Sequence, residues 1–364
     1  MAPAAGRRVE IDVAKGAACL LMILAHLAPH GLLPVGNFAA ALFFACSGMN
    51  AILMIERTRG SRLFDLYHVL FPLILFFGGS TLIAVIHGGR LRIAFGLLQF
   101  IALAIVLVFA LSKLFPDPRS CGWLFPIPFL VQQLAPASVL GSRGEFPLSM
   151  LFGNRFVLFP WLGFFLFGIF ILGRKRGQRR VLMAVLIVAF ALSHGIAAIP
   201  LRKFWMSLSY ILLGLLVIVM ALEFGRWISG RPVPFLSRRL SEFFALSGRN
   251  SLMFLYMHYF VMRYFAGFVL GIGAWPSLLL KTLILFLACN AMLMFYEKVK
   301  IQPGLFLPAS FLALALAWLY GTELPGRHAD KRLIVMLLGI LFAFLYVQLR
   351  RRAADLIRKR DASR

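Results

Sequence analysis

The sequence has few charged residues, and few of those are acidic. Charged residues make up 14% of the chain, and only 13 of its 364 residues are Asp or Glu. Soluble domains carry about 25% charged residues, so this composition excludes an ordinary water-soluble domain. Hydrophobic residues make up 61% of the chain instead. They form repeated runs of about 20 residues, a length that predicts membrane-spanning α-helices. The period-2 alternation of an outer-membrane barrel is missing.

Cysteine is scarce as well. The chain has 4 cysteines and no CxxC spacing, and Cys19, Cys46 and Cys289 fall within apolar runs. We therefore expect neither a disulfide scaffold nor a cysteine-based metal site, and no permanently bound cofactor. A small-residue cleavage site is also missing after the first apolar run, which predicts an uncleaved first span rather than a signal peptide.

The 38 Lys and Arg residues give the chain a net charge of +25. They lie in short segments between the apolar runs, and Lys and Arg collect in cytoplasmic loops of membrane proteins. This distribution indicates membrane topology rather than nucleic-acid binding. Membrane lipids are the partners that we expect for the basic residues, and the sequence leaves a homo-oligomer open.

The apolar runs predict an all-α polytopic transmembrane bundle of about 10–12 spans. They cover 13–29, 37–55, 66–87, 93–111, 121–136, 155–173, 181–199, 204–224, 250–272, 277–296, 304–321 and 332–349. The fifth run is short and is broken by prolines. If it crosses the membrane, the basic segments 56–65, 174–180 and 225–250 all face the cytoplasm, as the positive-inside rule requires. Both termini are then cytoplasmic.

No linker or low-complexity tract divides the chain, so we predict one membrane-embedded domain over 1–364. Within it, 8–260 forms a core, 277–349 adds further spans and 350–364 is a basic cytoplasmic tail. The stretch FLSRRLSEFFAL, which follows the eighth run, is amphipathic. Such a pattern predicts an interfacial helix on the inner leaflet.

Two histidines follow the first apolar run. His26 and His30 are four residues apart, so they lie on one face of a helix. Asp12 lies roughly 21 Å from His26 along such a helix, which is most of a hydrocarbon core of about 30 Å. The first span thus carries charged residues at one membrane face and imidazoles near the other. An ordinary first span with a charged start is the simpler interpretation.

Ionisable and polar residues inside a membrane are costly, so each is a functional candidate. The candidates for binding a phosphorylated ligand are Arg8, Asp12, Lys15, Arg249 and Asn250, the last two at a helix start where backbone N–H groups favour an anion. The candidates for lining a pocket are Ser47, Asn50, Gln99, Trp161 and His258. For Ser47 and Asn50, plain helix contact is the simpler interpretation, and an isolated histidine in a span is more often a hydrogen-bonded bundle residue.

These candidates fit one pattern of chemistry. Cationic side chains at the inner face would bind the phosphates of an acyl donor that contains a nucleotide. Histidine is the side chain best suited to take a proton from a hydroxyl or amine near neutral pH. The acceptor alcohol or amine would then approach from the outer side.

Five short motifs in order carry a resemblance. They are Arg8-x-x-x-Asp12-x-x-Lys15-Gly16 with His26 ten residues after the glycine, LFFACSG (42–48), FGLLQFIALA (95–104), LFPWLGFFLFGIFILG (158–173) and SGRNSLMFLYMH (247–258). Together they resemble the heparan-α-glucosaminide N-acetyltransferase-like family, especially its bacterial branch. The membrane proteins that O-acylate bacterial surface sugars are similar in the spacing from glycine to histidine.

The resemblance implies an enzyme that transfers an acyl group, usually acetyl, from cytoplasmic acetyl-CoA to a sugar or glycan on the far side of the membrane. It implies that His26 is catalytic, with His30 second, and it points to a bacterial inner membrane. Two other readings remain open from sequence. One is a transporter or flippase of a lipid-linked or acylated glycan, and the other is an inactive membrane scaffold.

Overall fold

The computed structural model describes residues 8–28, 34–58, 64–82, 96–135, 156, 158–203, 206–230, 236–269, 275–298 and 328–362. These residues form twelve α-helices and no β-strand. The helices are α1 (Val9–Leu27), α2 (Ala39–Thr58), α3 (Phe64–Gly78), α4 (Leu97–Leu114), α5 (Pro126–Leu134), α6 (Leu158–Leu172), α7 (Arg176–Phe190), α8 (Leu208–Gly230), α9 (Leu236–Arg249), α10 (Ser251–Val269), α11 (Trp275–Lys298) and α12 (His328–Ala362). The predicted all-α polytopic bundle is confirmed.

Seven helical segments of the described residues are long and apolar enough to cross a membrane. They are Gly36–Thr58, Asp65–Leu82, Leu97–Leu114, Arg176–Ile196, Leu208–Gly230, Leu278–Lys298 and Leu333–Arg350, and Leu158–Leu172 and Ser251–Met262 are shorter apolar helices. The chain is therefore a multi-pass membrane protein. The predicted span 304–321 lies outside the described residues.

The fifth predicted span is not one long helix. A 3-10 helix, Pro118–Leu124, precedes α5, which has nine residues. At about 1.5 Å per residue α5 is roughly 14 Å long, less than half of a hydrocarbon core of about 30 Å. Pro126 is the first residue of α5, where a missing N–H costs nothing because the helix has no partner for it.

The Cα positions divide the chain into two compact units. The first unit comprises the described residues of Met1–Met49, Arg119–Pro136 and Phe159–Glu297. The second comprises those of Asn50–Pro118, Ala137–Leu158 and Lys298–Arg364. The predicted single domain with a boundary near residue 260 stays a prediction.

In the first unit, glycines allow α1 to approach two other helices at backbone distance. A Cβ at Gly16 of α1 would collide with the carbonyl of Phe244 on α9, and one at Gly248 of α9 would collide with the carbonyl of Asp12. A Cβ at Gly225 of α8 would lie 2.6 Å from the carbonyl oxygen of Glu10. Small residues at such contacts are typical of helix association in membranes.

The helix predicted over FLSRRLSEFFAL is present as α9, and its place on the inner leaflet stays a prediction. One face, with Ser241, Ala245 and Ser247, is buried, while Arg239 and Glu242 on the other face are exposed. The buried face is covered because the glycine contacts bring α1 against it. This helix is thus part of the bundle as well as amphipathic.

The second unit contains a small polar core between α2, α3, α4 and α12. Nε2 of His68 lies 2.9 Å from Oγ1 of Thr58, and the Arg350 guanidinium donates to the Tyr67 hydroxyl at 3.2 Å. Gln99, predicted to line a pocket, is 1% exposed in this unit and donates to the carbonyl of Phe76 at 3.0 Å. We interpret Gln99 in this position as a residue that holds α4 against α3.

Candidate imidazole site and charged cluster

Two histidines of the first unit meet at the end of α1. His26 lies in the last turn of α1 and is exposed. Its ring stacks on the ring of His258 from α10, with the centroids 5.5 Å apart and an angle of 29° between the planes. His26 and His258 are 232 positions apart in sequence, so only tertiary structure brings them together.

The His258 imidazole is fully buried, and its two nitrogens differ. Nδ1 lies 3.3 Å from the carbonyl oxygen of Phe254, one turn earlier on α10. Because a carbonyl only accepts, Nδ1 carries the proton, and Nε2 of the neutral ring is left as an acceptor. Nε2 is buried and has no hydrogen-bond partner among the residues that the structure describes.

Tyr259 completes the imidazole site, which we define as His26, His258 and Tyr259. Its ring centroid lies 5.4 Å from that of His26 and 4.2 Å from that of His258. Lys203 is close enough to act on His26 electrostatically. Neither Lys203 nor Tyr259 was predicted as a site residue, although Tyr259 directly follows His258. His30 lies outside the described residues.

A group of arginines and glutamates lies at the opposite end of α1. Arg226 of α8 pairs with Glu10 at 3.9 Å and with Glu223 at 3.6 Å. Glu223 also pairs at 3.5 Å with Arg179 of α7, whose side chain is only 4% exposed. Arg8 and Arg176 act electrostatically on Arg226. We call these six residues the charged cluster, and its formal charge is +2, from four arginines and two glutamates.

These ion pairs gather basic segments that are far apart in sequence. The beginning of α1, the beginning of α7 and the end of α8 lie at one end of the first unit, since Glu10 and Glu223 join them. The positive-inside argument requires that these segments share one side of the membrane. The sequence favours a solvated position for Glu10 and Glu223 over a place in a site, because acidic residues near span ends are usually solvated at the interface.

Arg249 and Asn250 share one carboxylate. The Arg249 guanidinium forms a two-point contact with Glu297 of α11, and the Asn250 amide donates to the same carboxylate at 2.8 Å. A helix was predicted to start at these residues. The structure instead has a junction between α9 and α10 at which the helical hydrogen bonds continue. Asn250 N–H donates to Leu246 O at 3.3 Å, and Phe254 N–H donates to Asn250 O at 2.8 Å. A phosphate bound here would have to compete with Glu297.

Asp12 and Lys15 lie on a stripe of α1 that leads to His26. The stripe continues through Cys19 and Met22 at spacings of three and four residues, which places all five side chains on one helix face. Asp12 is 8% exposed and Cys19 is fully buried. The thiol of Cys19 lies 3.9 Å from the carbonyl oxygen of Ser247. The stripe therefore connects the two ends of α1 within the first unit.

Of the five predicted pocket residues, His258 contacts His26. Trp161 is 2% exposed, and its ring centroid lies 5.3 Å from that of Phe44 in an edge-to-face arrangement, so it belongs to the aromatic core between α2 and α6. Ser47 lies half-buried on α2 in the first unit, and Asn50 and Gln99 belong to the second unit. Within the described ranges, no group of three or more His, Cys, Asp or Glu residues is arranged to hold a metal ion.

The two ends of α1 differ in what they can do chemically. The charged cluster has excess positive charge and suits a polyanion such as a nucleotide phosphate. The imidazole site has one exposed imidazole and one buried acceptor nitrogen, and it suits proton transfer. No protein-family model matches the chain, and comparison with curated proteins gives no significant match.

Proposed function

We propose that the chain is a membrane-embedded acyltransferase that moves an acetyl group from acetyl-CoA to a hydroxyl or amine of a sugar or glycan. The observation that carries this proposal is the exposed imidazole of His26 stacked on the buried imidazole of His258. An exposed imidazole is available to a substrate and can take a proton near neutral pH, and both properties favour a general base.

The reaction that we propose is a direct transfer at His26. The imidazole takes the proton of the acceptor hydroxyl or amine as that oxygen or nitrogen attacks the thioester carbonyl carbon. The carbon–sulfur bond then breaks, and the CoA thiolate takes the proton from the imidazolium. The products are an ester or amide and the free thiol of CoA, and general base catalysis of this kind contributes about 10²–10⁴-fold.

We propose that the charged end of α1 binds the phosphates of the donor. The excess positive charge of the charged cluster supports this, with Arg8 as its predicted member and Arg176 and Arg226 as additional ones. Lys15 lies between this end and His26 on the α1 stripe. The pantetheine arm of acetyl-CoA would extend along α1 towards His26, with the donor on the cytoplasmic side of a bacterial inner membrane and the acceptor on the outer side.

Acetyl-CoA turnover by the protein purified in detergent tests the proposal. Free thiol is measured with amino sugars and glycans as acceptors. We expect His26→Ala to lower the rate at least about 100-fold, because the general base is removed. His194→Ala is the matched control, since His194 is another exposed histidine of the first unit, where its Nδ1 lies 2.8 Å from the carbonyl oxygen of Ile199.

Two outcomes would contradict the proposal. Full activity in a folded His26→Ala variant would remove His26 from the chemistry. Transport of a lipid-linked glycan by reconstituted protein that consumes no acetyl-CoA would favour the transporter or flippase instead.

A further inference from the structure

Nε2 of His258 is a buried polar atom that lies in the imidazole site and has no role in the proposed reaction. Its ring orientation is fixed, because Nδ1–H donates to the Phe254 carbonyl and holds Nε2 on the opposite side of the ring. A buried acceptor without a donor is unfavourable, so most such atoms in native proteins have a partner. An atom of this kind beside a reactive group indicates a ligand that supplies the donor.

We infer that Nε2 of His258 accepts a hydrogen bond from a hydroxyl or amine of the acceptor substrate. The carbon that bears this group is next to the carbon whose hydroxyl or amine is acylated. The inference rests on the proposed function, in which His26 deprotonates the reacting group. The two imidazole centroids are 5.5 Å apart, so groups on adjacent carbons of one substrate can reach both rings. The substrate class that fits is a vicinal diol or a 2-amino alcohol, as in a pyranose sugar.

The rings around His258 indicate how the acceptor would enter. The rings of His26 and Tyr259 cover the ring of His258. His26 is exposed. It lies in the last turn of α1, and the helix ends at Leu27. Rotamer changes of exposed side chains take picoseconds to nanoseconds. A rotation of His26 would uncover His258 to the acceptor and keep the His26 imidazole beside the reacting group.

Methyl glucosaminide and its 3-deoxy analogue test the inference, with acetyl-CoA as donor. In both sugars the methyl group replaces the hydroxyl proton on C1. In the first sugar the reacting amine therefore has one neighbouring hydroxyl, on C3, and in the second it has none. We expect the missing hydroxyl to raise the KM of the natural chain for the sugar about tenfold, a factor that one hydrogen bond can supply. The KM for acetyl-CoA should be the same with both sugars.

Two variants at His258 distinguish the effect of the hydrogen bond from the effect of the ring shape. His258→Asn keeps a donor for the Phe254 carbonyl and has no atom at the Nε2 position. It should raise the KM for methyl glucosaminide about tenfold and abolish the difference between the two sugars. His258→Gln can place its amide oxygen at the Nε2 position and should retain the difference. An unchanged KM for acetyl-CoA shows that either variant is folded.

The outcomes distinguish this inference from the proposed function. An equal KM of the natural chain for both sugars, or a His258→Asn variant that still discriminates between them, would overturn the inference. So would acetylation of other glycans without turnover of either sugar, which would leave the proposed acyltransferase intact. Retained activity in His26→Ala would overturn the proposed function itself.

Discussion

Two buried histidines, one in each unit, differ in their hydrogen bonds. His68 is 2% exposed, and its Nε2 lies 2.9 Å from Oγ1 of Thr58. The Thr58 hydroxyl donates its only proton to the carbonyl of Met54 at 2.8 Å, so Nε2 of His68 must carry a proton and donate. His258 is 0% exposed, and its Nε2 has no partner within the described residues.

This difference separates a structural histidine from a functional candidate. Both rings are buried in apolar helices, and both lie beside aromatic rings, with His68 stacked on Phe109 at 5.1 Å. Burial and residue type therefore do not distinguish them. The hydrogen bond from His68 to Thr58 joins α3 to α2 and stabilises the unit, whereas the free acceptor of His258 lies next to the exposed ring of His26.

The first prediction concerns a substitution outside the imidazole site that should separate His26 from His258. It has the largest expected effect. Gly248→Ala adds a Cβ that collides with the carbonyl of Asp12, so α1 and α9 must move apart, and His26 must move relative to His258. We expect the free energy of unfolding to fall by about 3 kcal/mol, because the added volume meets backbone. Thermal unfolding in detergent and acetyl-CoA turnover measure the two consequences.

Gly177→Ala is the control for that variant. Gly177 lies in α7, and a Cβ there would meet no atom within 4 Å. Alanine is favoured over glycine in a helix by about 0.5–1 kcal/mol, so this variant should be as stable as the natural chain or slightly more stable. A Gly248→Ala protein with an unchanged unfolding temperature would contradict the close contact of α1 and α9.

The second prediction concerns His68, the histidine whose Nε2 has a hydrogen-bond partner. Thr58→Val leaves the buried Nε2–H of His68 without an acceptor, and we expect a loss of about 2 kcal/mol in the free energy of unfolding. Turnover per folded molecule should not change. Thr58→Ser keeps the hydroxyl and serves as the control. Should turnover fall while stability is unchanged, His68 would belong to a functional site and the comparison of the two histidines would fail.

The third prediction applies the same reasoning to the carboxylate shared by Arg249 and Asn250. The side chains of Arg249 and Glu297 are 32% and 28% exposed. A double-mutant cycle with Arg249→Met and Glu297→Met should give a coupling energy of about 1 kcal/mol, between the values for exposed and buried pairs. Chemical or thermal unfolding of the four proteins measures it, and a coupling near zero would mean that Arg249 is available to a ligand.

The smallest effect is expected at an exposed ion pair of the second unit. Lys113 and Asp65 lie 2.9 Å apart, with side chains 50% and 65% exposed. Asp65→Asn should change the free energy of unfolding by less than about 0.5 kcal/mol, because water and salt screen the pair. A large loss of stability would show that a pair of exposed side chains contributes as much to the free energy of unfolding as the buried hydrogen bond of His68.

The fold was predictable because the length and apolarity of a run determine whether it can span a membrane. The same reasoning was less successful for 121–136, where prolines divide the run into a 3-10 helix and the short α5. It also described α9 only as amphipathic. The face of α9 that meets α1 depends on Gly16 and Gly248, which meet the other helix at backbone atoms, and a pattern of apolar residues does not identify such contacts.

The candidate site was predictable in part. His26 follows from its place at the end of the first apolar run, and Arg249 and Asn250 follow from their place at a junction between helices. Their partners do not follow, because Glu297 lies 47 residues beyond Asn250. Acidic residues near span ends have many solvated alternatives, so the sequence gives no reason to pair one of them with a particular arginine.

The sequence by itself determined that this protein is an all-α, multi-pass membrane protein, that its basic residues lie between the apolar runs and that His26 follows the first of these runs. These properties depend on local composition and on the cost of placing polar groups in hydrocarbon. Only the tertiary structure decided that His26 stacks on His258 and that Nε2 of His258 has no hydrogen-bond partner in the described parts of the chain. Contacts between distant helices depend on close side-chain and backbone fit, which no local pattern specifies.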